Sequence, residues 1–272
     1  MTNDRFTSPV EAETTWRTAG SPWARWTDEQ LRLLATAIID VTREYARQVP
    51  PPRGAPFFAL EYPDGDLSSL DHFAARGIFR KYESVLDLGC GFGAAARWWT
   101  AHFGCRVVGL EPIAAVAAAA LLLSARARAV DQTRFLSGAL SMIPCRARYF
   151  THVWSVERLL DPVEDDRRFR EIFRVLRPGG HAAVQHGAPG SEWARGVRSA
   201  LSAAGFVEIQ AHDIERPPLG ETCRVARERL LRYLEDHADP VGAVVASALD
   251  DLYRSRGLRS RIVTQVFARR PA

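Results

Sequence analysis

Short apolar runs alternate with longer amphipathic stretches along this chain. A short apolar run bounded by turn residues predicts a buried strand, and apolar residues that recur every three or four positions predict a helix. The predicted strands are 84–88, 106–110, 135–136, 149–154, 182–185, 206–209 and 262–267. The predicted helices are 27–48, 67–81, 113–130, 193–204, 221–237 and 242–254, with another that begins at Ala94. This alternation predicts an α/β fold, a parallel doubly wound sheet with helices on both faces.

Composition divides the chain into three parts. Residues 1–22 have no sustained apolar period, and we expect them to form a flexible arm. Residues 23–80 are expected to form an N-terminal helical cap, whose first helix starts at Thr27 and ends before the prolines at 50–52. Residues 81–272 are expected to form the main domain, with a helical insertion near 217–256. The apolar pattern of the first helix fits simple packing on the core. A resemblance to a known family, which rests on residues farther along the chain, implies instead a cover over a substrate cleft, and both alternatives stay open.

Composition and charge also narrow the class of protein. The 272 residues are 47% hydrophobic, which is enough for a sizeable core. No run reaches the roughly 18 apolar residues of a membrane span, and the first residues do not resemble a signal peptide, so we expect a cytoplasmic protein with no membrane span. The net charge of +4 comes almost wholly from arginine, without a basic cluster interleaved with aromatic residues, so we expect no nucleic-acid partner.

The cysteines bear on metal and redox chemistry. The four cysteines have neither zinc-ligand spacing nor the density of a disulfide framework. We therefore expect a reducing compartment and no bound metal. We expect the chain to act on a small molecule as a monomer or homodimer.

The strongest chemical signal follows the first strand of the main domain. Asp87 lies near the end of that strand, and Gly-Cys-Gly-Phe-Gly follows at 89–93. Glycines permit a ligand to approach the backbone closely, and the helix N-terminus beyond them offers unpaired N–H groups. Glu111 closes the next strand, where nucleotide-binding βαβ units place an acid on ribose hydroxyls. The loop and the two acids together predict a nucleotide-binding site.

This stretch resembles motif I of the class I S-adenosylmethionine-dependent methyltransferases, in which an acid precedes Gly-x-Gly-x-Gly and a second acid closes the next strand. The segment 169–180, Phe-Arg-Glu-Ile-Phe-Arg-Val-Leu-Arg-Pro-Gly-Gly, resembles the one before strand five in the subgroup that methylates quinones, sarcosine and natural products. The resemblance implies a Rossmann-like seven-stranded sheet whose last strand is antiparallel. It also implies S-adenosyl-L-methionine as cofactor and S-adenosyl-L-homocysteine as product. The glycine motif alone also fits the fingerprint of an NAD-dependent oxidoreductase, which stays a further alternative function.

The resemblance further implies which residues hold the cofactor. Glu111 would accept hydrogen bonds from both ribose hydroxyls, and the aromatic segment ending at Tyr62 would line the methyl-donor end. Residues just beyond the carboxyl ends of the strands would complete the site. The full implied set is Tyr62, Asp87, Gly89, Cys90, Gly91, Gly93, Glu111, Pro112, Ala139, Leu140, Trp154 and Ser155.

The sequence departs from the family pattern at three places. Ala139 replaces an acid that accepts from the adenine amino group, which leaves adenine recognition to the backbone of Ala139 and Leu140 and to packing. Thr151 replaces an aspartate before strand four. Asp161 and His186 exchange the residue types of the family, and we hypothesise a catalytic dyad in which His186 is the general base and Asp161 holds its tautomer. Asp161 is equally compatible with a turn or helix cap, and His186 with a plain loop residue.

Methyl transfer itself needs few side chains, because an acceptor held in line with an activated methyl group gains much of the acceleration from position alone. The sequence therefore predicts a methyltransferase that acts on an oxygen, nitrogen or carbon of a small, partly apolar metabolite, such as one of natural-product biosynthesis. The alternative is a non-catalytic methyltransferase-like binding or scaffold protein with an altered adenine pocket. The departures at Ala139, Thr151 and the Asp161/His186 pair support that alternative.

Overall fold

A computed structural model describes residues 21–62, 67–77, 79–156, 166–186, 191–237, 240–257 and 262–272. The strands are β1 (Ser84–Leu88), β2 (Arg106–Glu111), β3 (Thr133–Ser137), β4 (Phe150–Val156), β5 (Leu176–His186), β6 (Val207–Glu215) and β7 (Ile262–Arg269). The helices are α1 (Asp28–Tyr45), α2 (Ser68–Arg76), α3 (Ala94–Phe103), α4 (Ala114–Arg126), α5 (Asp166–Val175), α6 (Ser191–Ala203), α7 (Glu221–His237) and α8 (Pro240–Gly257).

The seven strands form one sheet in the order β3-β2-β1-β4-β5-β7-β6. Strands β1 to β5 pair in parallel, and β7 lies antiparallel between β5 and β6. This confirms the doubly wound, Rossmann-like sheet with an antiparallel last strand. The strand order reverses direction between β1 and β4, and ligands of such sheets bind at the carboxyl ends of the strands at this switch point.

Strands β5 and β6 exceed the lengths that the apolar pattern predicts by the largest margins. Strand β5 begins at Leu176, before the Pro-Gly-Gly turn that was expected to precede it, and β6 runs on to Glu215. Gly179 adopts a φ of 75°, and its N–H donates to the carbonyls of Arg270 and Pro271. Pairing with β7 supplies the partners for the added residues of β6. In β5, Leu176 pairs with Phe150 of β4, and Gly179 bonds the two residues that follow β7, so tertiary contacts rather than local apolarity set both strand lengths.

Helix α2 is shorter than predicted and ends before Gly77. Helix α1 has the expected N-terminus, because Thr27 and Gln30 each accept a hydrogen bond from the other's backbone N–H in a capping box. The apolar faces of α1, α7 and α8 belong to one hydrophobic cluster, which also includes Val116 and Leu123 of α4. The first helix of the predicted N-terminal segment and the two helices of the predicted C-terminal insertion therefore share one hydrophobic cluster.

The sheet is covered on both faces. One face packs against α5 and α6, and the other packs against α2 and α3. No helix among the described residues is both long and apolar enough to cross a membrane. The layers leave the carboxyl edge of the sheet beside the helical cap, where the predicted site residues lie.

Candidate functional site

The bend between β1 and α3 is built from glycines in left-handed backbone conformations. Gly89, Gly91 and Gly93 have φ values of 72°, 51° and 80°. Residues other than glycine rarely adopt this left-handed backbone region, so the backbone geometry favours glycine at all three positions. A Cβ on Gly93 would also lie 2.7 Å from Cζ of Phe135, which leaves no room for a side chain. The loop therefore presents bare peptide groups.

Two buried carboxylates flank this loop. Asp87 and Glu111 are each only 2% exposed. Burial raises the pKa of Asp87 to about 7, with a further contribution from the nearby charge of Glu111. Burial likewise raises the pKa of Glu111 to about 7, against the lowering effect of two backbone hydrogen bonds. Ionising both carboxyl groups in this buried place is costly. A cationic or hydroxylated ligand would offset that cost, so the pair is a candidate binding site for such a ligand.

The two acids differ in their partners. Glu111 accepts from the backbone N–H of Gly91 at 3.0 Å and from that of Ile113 at 3.3 Å, so it ties the glycine loop to the start of α4. Oδ2 of Asp87 is buried without a hydrogen-bond partner among the described residues. An unpaired buried carboxylate oxygen is unfavourable by itself, and a ligand that donates a hydrogen bond there would remove that penalty.

Cys90 fills the space behind the loop. Its side chain is 8% exposed, and a Cβ on Gly109 of β2 would lie only 2.6 Å from its Sγ. Burial raises the pKa of the Cys90 thiol, and the charges of Asp87 and Glu111 raise it further. The thiol therefore stays protonated at neutral pH and acts as packing rather than as a nucleophile.

A tryptophan before α1 covers the loop. Trp23 is 2% exposed, and its Nε1 lies 3.5 Å from the position that a Cβ on Gly91 would take. Its ring packs edge-on against Phe92 at 4.7 Å and against Trp26 at 5.5 Å between centroids. A ligand on the loop would therefore contact Trp23. The sequence reasoning missed this residue, because its position before a helix gives no sign of a contact with residues 91–92.

A buried ion pair supports the loop from below. Arg97 of α3 donates to Oε1 of Glu61 at 2.8 Å and to the carbonyl of Phe92 at 2.8 Å, and both charged side chains are almost fully buried. The same guanidinium donates to Oγ of Ser124 on α4. The sequence signal for this ion pair is a single arginine in an otherwise apolar helical turn, and no role was predicted for that arginine. The pair connects the segment before Tyr62 to the end of the glycine loop.

The remaining predicted cofactor residues fall into two groups. Pro112 and Ser155 lie at the carboxyl edge, where Oγ of Ser155 donates to the carbonyl of Leu88 at 3.4 Å. Leu140 and Trp154 have side chains in the core on opposite faces of the sheet. Trp154 stacks on Phe73 of α2 at 4.4 Å, so the structure places its ring beneath the site rather than on its surface.

Ala139 and Tyr62 lie at the margins of the site. Ala139 follows β3, and its carbonyl accepts from the N–H of Met142. The carbonyl of Tyr62 accepts from Arg227 of α7, which connects this residue to the helical cap. Their roles in holding a cofactor stay predictions.

The predicted catalytic dyad is not tested by the described contacts. Asp161 lies outside the described residues. His186 is the last residue of β5, where its backbone pairs with Thr264 of β7, and its side chain is also outside the description. The backbone position at the carboxyl edge is the one that the sequence predicts for a site residue. The dyad itself stays a hypothesis.

Thr151 lies at the other end of the sheet. It sits near the start of β4, and its Oγ1 donates to the carbonyl of Ser84 at 3.0 Å and accepts from the Ser84 N–H at 3.1 Å. The amino ends of the strands lie opposite the glycine loop. The change from aspartate to threonine therefore says nothing about the cofactor site and gives no support to an altered adenine pocket.

No group of three or more metal-ligating side chains occurs within the described ranges. The chemistry that the site offers is therefore a bare glycine loop, two buried carboxylates and an aromatic cover.

Comparisons with known proteins agree with this geometry. Residues 86–184 match the family model described as a methyltransferase domain. The malonyl-[acyl-carrier protein] O-methyltransferase of Enterobacter lignolyticus is 32% identical over 130 residues, which cover 47% of this chain and 48% of that protein. The methyltransferase GfsG of Streptomyces halstedii is 32% identical over 135 residues, covering 44% of this chain and 47% of that protein.

A solved structure gives a wider match. The crystal structure of the [4+2]-cyclase SpnF is 25% identical, with a TM-score of 0.56, and covers 75% of this chain and 81% of that chain. The chain spans about half the length of the curated relatives that it matches. The resemblance to class I methyltransferases and the fold that it implied are both confirmed by these findings.

Proposed function

We propose that this chain, whose residues 86–184 match the methyltransferase domain family, transfers a methyl group from S-adenosyl-L-methionine to an oxygen, nitrogen or carbon of a small, partly apolar metabolite. The observation that carries the proposal is the buried Oδ2 of Asp87, which has no partner among the described residues. It lies beside a loop whose three glycines leave the backbone bare, as a ligand with an ammonium group and a ribose requires.

The residues present fit this cofactor. Asp87 would accept from the ammonium group, Glu111 from the ribose hydroxyls, and the backbone at 89–93 would lie against the ligand. When bound, S-adenosyl-L-methionine supplies a methyl group that is already activated by its sulfonium. The chain is then required to orient the acceptor, to exclude water and, for an acceptor with a proton to lose, to accept that proton.

Two features of the chain serve orientation and water exclusion. Trp23 and Phe92 form an aromatic wall over Gly91, and the Arg97–Glu61 pair holds the carbonyl of Phe92 in place. We retain His186 and Asp161 as the proposed acceptor of a proton and its partner. The sparse cysteines support a cytoplasmic location, and a small-molecule acceptor rather than nucleic acid and a monomer or homodimer belong to the same proposal.

Calorimetry with purified protein tests the cofactor assignment. We expect micromolar binding of both S-adenosyl-L-methionine and S-adenosyl-L-homocysteine, and a loss on the order of tenfold in Glu111→Gln, because an amide accepts fewer hydrogen bonds from the two hydroxyls. Glu83→Gln, at the amino edge of the sheet, is the matched control and should bind as the wild type does. Absence of binding to both compounds in the folded wild type contradicts the proposal.

A second function is favoured by one comparison. SpnF has this fold and is described as a [4+2]-cyclase, so the fold alone does not require methyl transfer. Ala139 in place of an acid is further support for a methyltransferase-like protein without methyl transfer. Mass spectrometry separates the two: a metabolite extract incubated with enzyme and S-adenosyl-L-methionine should gain one methyl group on a product and release S-adenosyl-L-homocysteine. Tight cofactor binding without release favours the second function.

A further inference from the structure

A groove of about 420 Å³ opens between the turn that precedes α1 and one side of α8. A volume of this size is typical of small-molecule binding sites. The lining positions of α8 recur at helical spacing, so a single side of that helix faces the groove. The apolar lining consists of Pro22, Trp26, Val244, Val245, Ala248 and Leu252.

The groove is apolar inside and charged at its mouth. Trp26 and Val245 form the floor, with 8% and 1% of their surface exposed. Arg25 and Asp251 also line the groove but are exposed, one on the turn and the other on α8. Neither charged side chain forms a hydrogen bond or an ion pair within the described part of the chain. The groove therefore offers a cation and a carboxylate that a ligand can reach, beside an apolar floor.

A row of aromatic rings connects this groove to the glycine loop. Trp26 packs edge-on against Trp23 at 5.5 Å between ring centroids, and Trp23 packs against Phe92 at 4.7 Å. Nε1 of Trp23 lies 3.5 Å from the position that a Cβ on Gly91 would take. The floor of the groove is therefore in contact with the ring that covers the loop.

We propose that this groove binds the methyl acceptor, and that the acceptor is an amphipathic zwitterion whose carboxylate pairs with Arg25 and whose ammonium group pairs with Asp251. This inference rests on the proposed function and names its substrate class. The apolar body of the acceptor packs on Trp26, and its charged end stays at the mouth of the groove. The opposite end of the molecule therefore points toward Trp23 and the glycine loop.

The charges at the mouth favour a zwitterion over simpler amphiphiles. An apolar acid would pair with Arg25 but bring a second negative charge close to Asp251, and an apolar amine would bring a second positive charge close to Arg25. A guanidinium matches the two oxygens of a carboxylate, and a carboxylate accepts from an ammonium group, so a zwitterion pairs with both residues. An uncharged ligand gains only the apolar contacts.

Labelled tryptophan tests whether a ligand occupies the groove. The chain has seven tryptophans, so protein labelled with ¹⁵N at the indole nitrogens gives few NMR signals, and that of Trp26 is the one missing in Trp26→Phe. The probes are phenylalanine, 3-phenylpropanoate and 2-phenylethylamine, which share a ring and differ in their charged groups. We expect all three to shift the Trp26 signal, with phenylalanine about threefold tighter than either of the others, because exposed ion pairs contribute modestly. This advantage should disappear at about 1 M salt, which screens exposed charges.

Two variants assign each charge to its partner. Arg25→Gln should remove the advantage of phenylalanine over 2-phenylethylamine, which lacks the carboxylate, and keep its advantage over 3-phenylpropanoate. Asp251→Asn should do the reverse. Both residues are exposed, so both variants should fold, which urea denaturation verifies. Arg53→Gln and Asp131→Asn, at exposed positions outside the groove, are the matched controls and should change neither ratio.

The outcomes separate this inference from the proposed function. S-adenosyl-L-homocysteine binding is measured by calorimetry on the same sample. Normal binding of that compound with a Trp26 signal that no probe moves, or with three probes of equal affinity, overturns the assignment of the groove and leaves methyl transfer in place. Failure to bind S-adenosyl-L-homocysteine overturns the proposed function, whichever way the probes behave.

Discussion

The two edges of the sheet differ in whether their buried polar groups have hydrogen-bond partners within the chain. At the amino edge, His152 is 3% exposed and both ring nitrogens have partners: Nε2 donates to the carbonyl of Gly77 at 2.6 Å, and Nδ1 lies 2.9 Å from Oγ1 of Thr151. Oγ1 of Thr151 also accepts from the N–H of Ser84, and its single proton is shared between Nδ1 of His152 and the carbonyl of Ser84. At the carboxyl edge, Oδ2 of Asp87 is buried without a partner among the described residues.

This difference separates stability from function. The buried groups of His152 and Thr151 at the amino edge have partners within the chain, so they stabilise the fold and need no ligand. At the carboxyl edge, Oδ2 of Asp87 stays without a partner at a cost in stability, and a ligand can supply one. The pKa values agree: burial lowers that of His152 to about 4, so the imidazole stays neutral in its network, and raises those of Asp87 and Glu111 to about 7.

The largest expected effect comes from adding a methyl group to the glycine loop. Gly93→Ala would combine a φ of 80° with a contact of 2.7 Å to Phe135, and we expect cofactor affinity to fall on the order of 100-fold because the loop must shift. Stability should fall by about 2–4 kcal/mol. Calorimetry and urea denaturation measure the two effects.

The matched control is Gly179→Ala at the amino edge. Gly179 has a similar φ of 75°, but nothing lies within 4 Å of the added Cβ. It should cost about 1 kcal/mol from backbone strain alone and leave cofactor affinity unchanged. Equal losses of affinity in both variants would refute the assignment of function to the carboxyl edge.

A smaller effect is expected from Asp87→Asn. The pKa of Asp87 is raised in the fold, so between about pH 4 and pH 7 the native state holds a proton that the unfolded chain has released, and stability falls as pH rises through this range. The variant lacks this dependence, and at pH 8 it should be more stable than the wild type by about 1–3 kcal/mol. Urea denaturation at pH 5.5, 6.5 and 8 measures the difference.

The same variant should bind S-adenosyl-L-methionine about tenfold more weakly at pH 8, because it loses a charged acceptor for the ammonium group. In the wild type, binding of this cationic ligand should strengthen as pH rises from 6 to 8, since the carboxyl pair must ionise. Stability and affinity therefore change in opposite directions. A variant that is both less stable and equally able to bind would show that Asp87 is structural.

The smallest effect is expected from Thr151→Val at the amino edge. The substitution keeps the shape and removes the hydroxyl that bonds Ser84, which should cost about 1 kcal/mol in urea denaturation. Cofactor affinity should not change, because the residue lies at the opposite end of β4. Thr133→Val, a buried threonine of β3, is the control for loss of a hydroxyl elsewhere in the sheet. Weaker cofactor binding by Thr151→Val alone would contradict our comparison of the two edges.

Much of the fold followed from local pattern. The bounds of β1 and the start of α3 agree with the sequence because apolar runs and glycines act on their own backbone. Strand β5 was predicted too short, because contacts with Phe150 of β4 and with Arg270 extend it beyond its own apolar run. The packing of α1 against α7 and α8 was not predicted, since nothing local in α1 indicates its partners.

The sequence by itself determined the glycine bend and the acids on either side of it, because the spacing of these residues fixes which strand ends they occupy. Only the tertiary structure decided that Thr151 belongs to the structural edge and that Trp23 covers Gly91. These facts depend on contacts between residues far apart in the chain, such as Thr151 with Ser84. Whether a buried polar group has a partner is a property of such contacts, and no local pattern contains it.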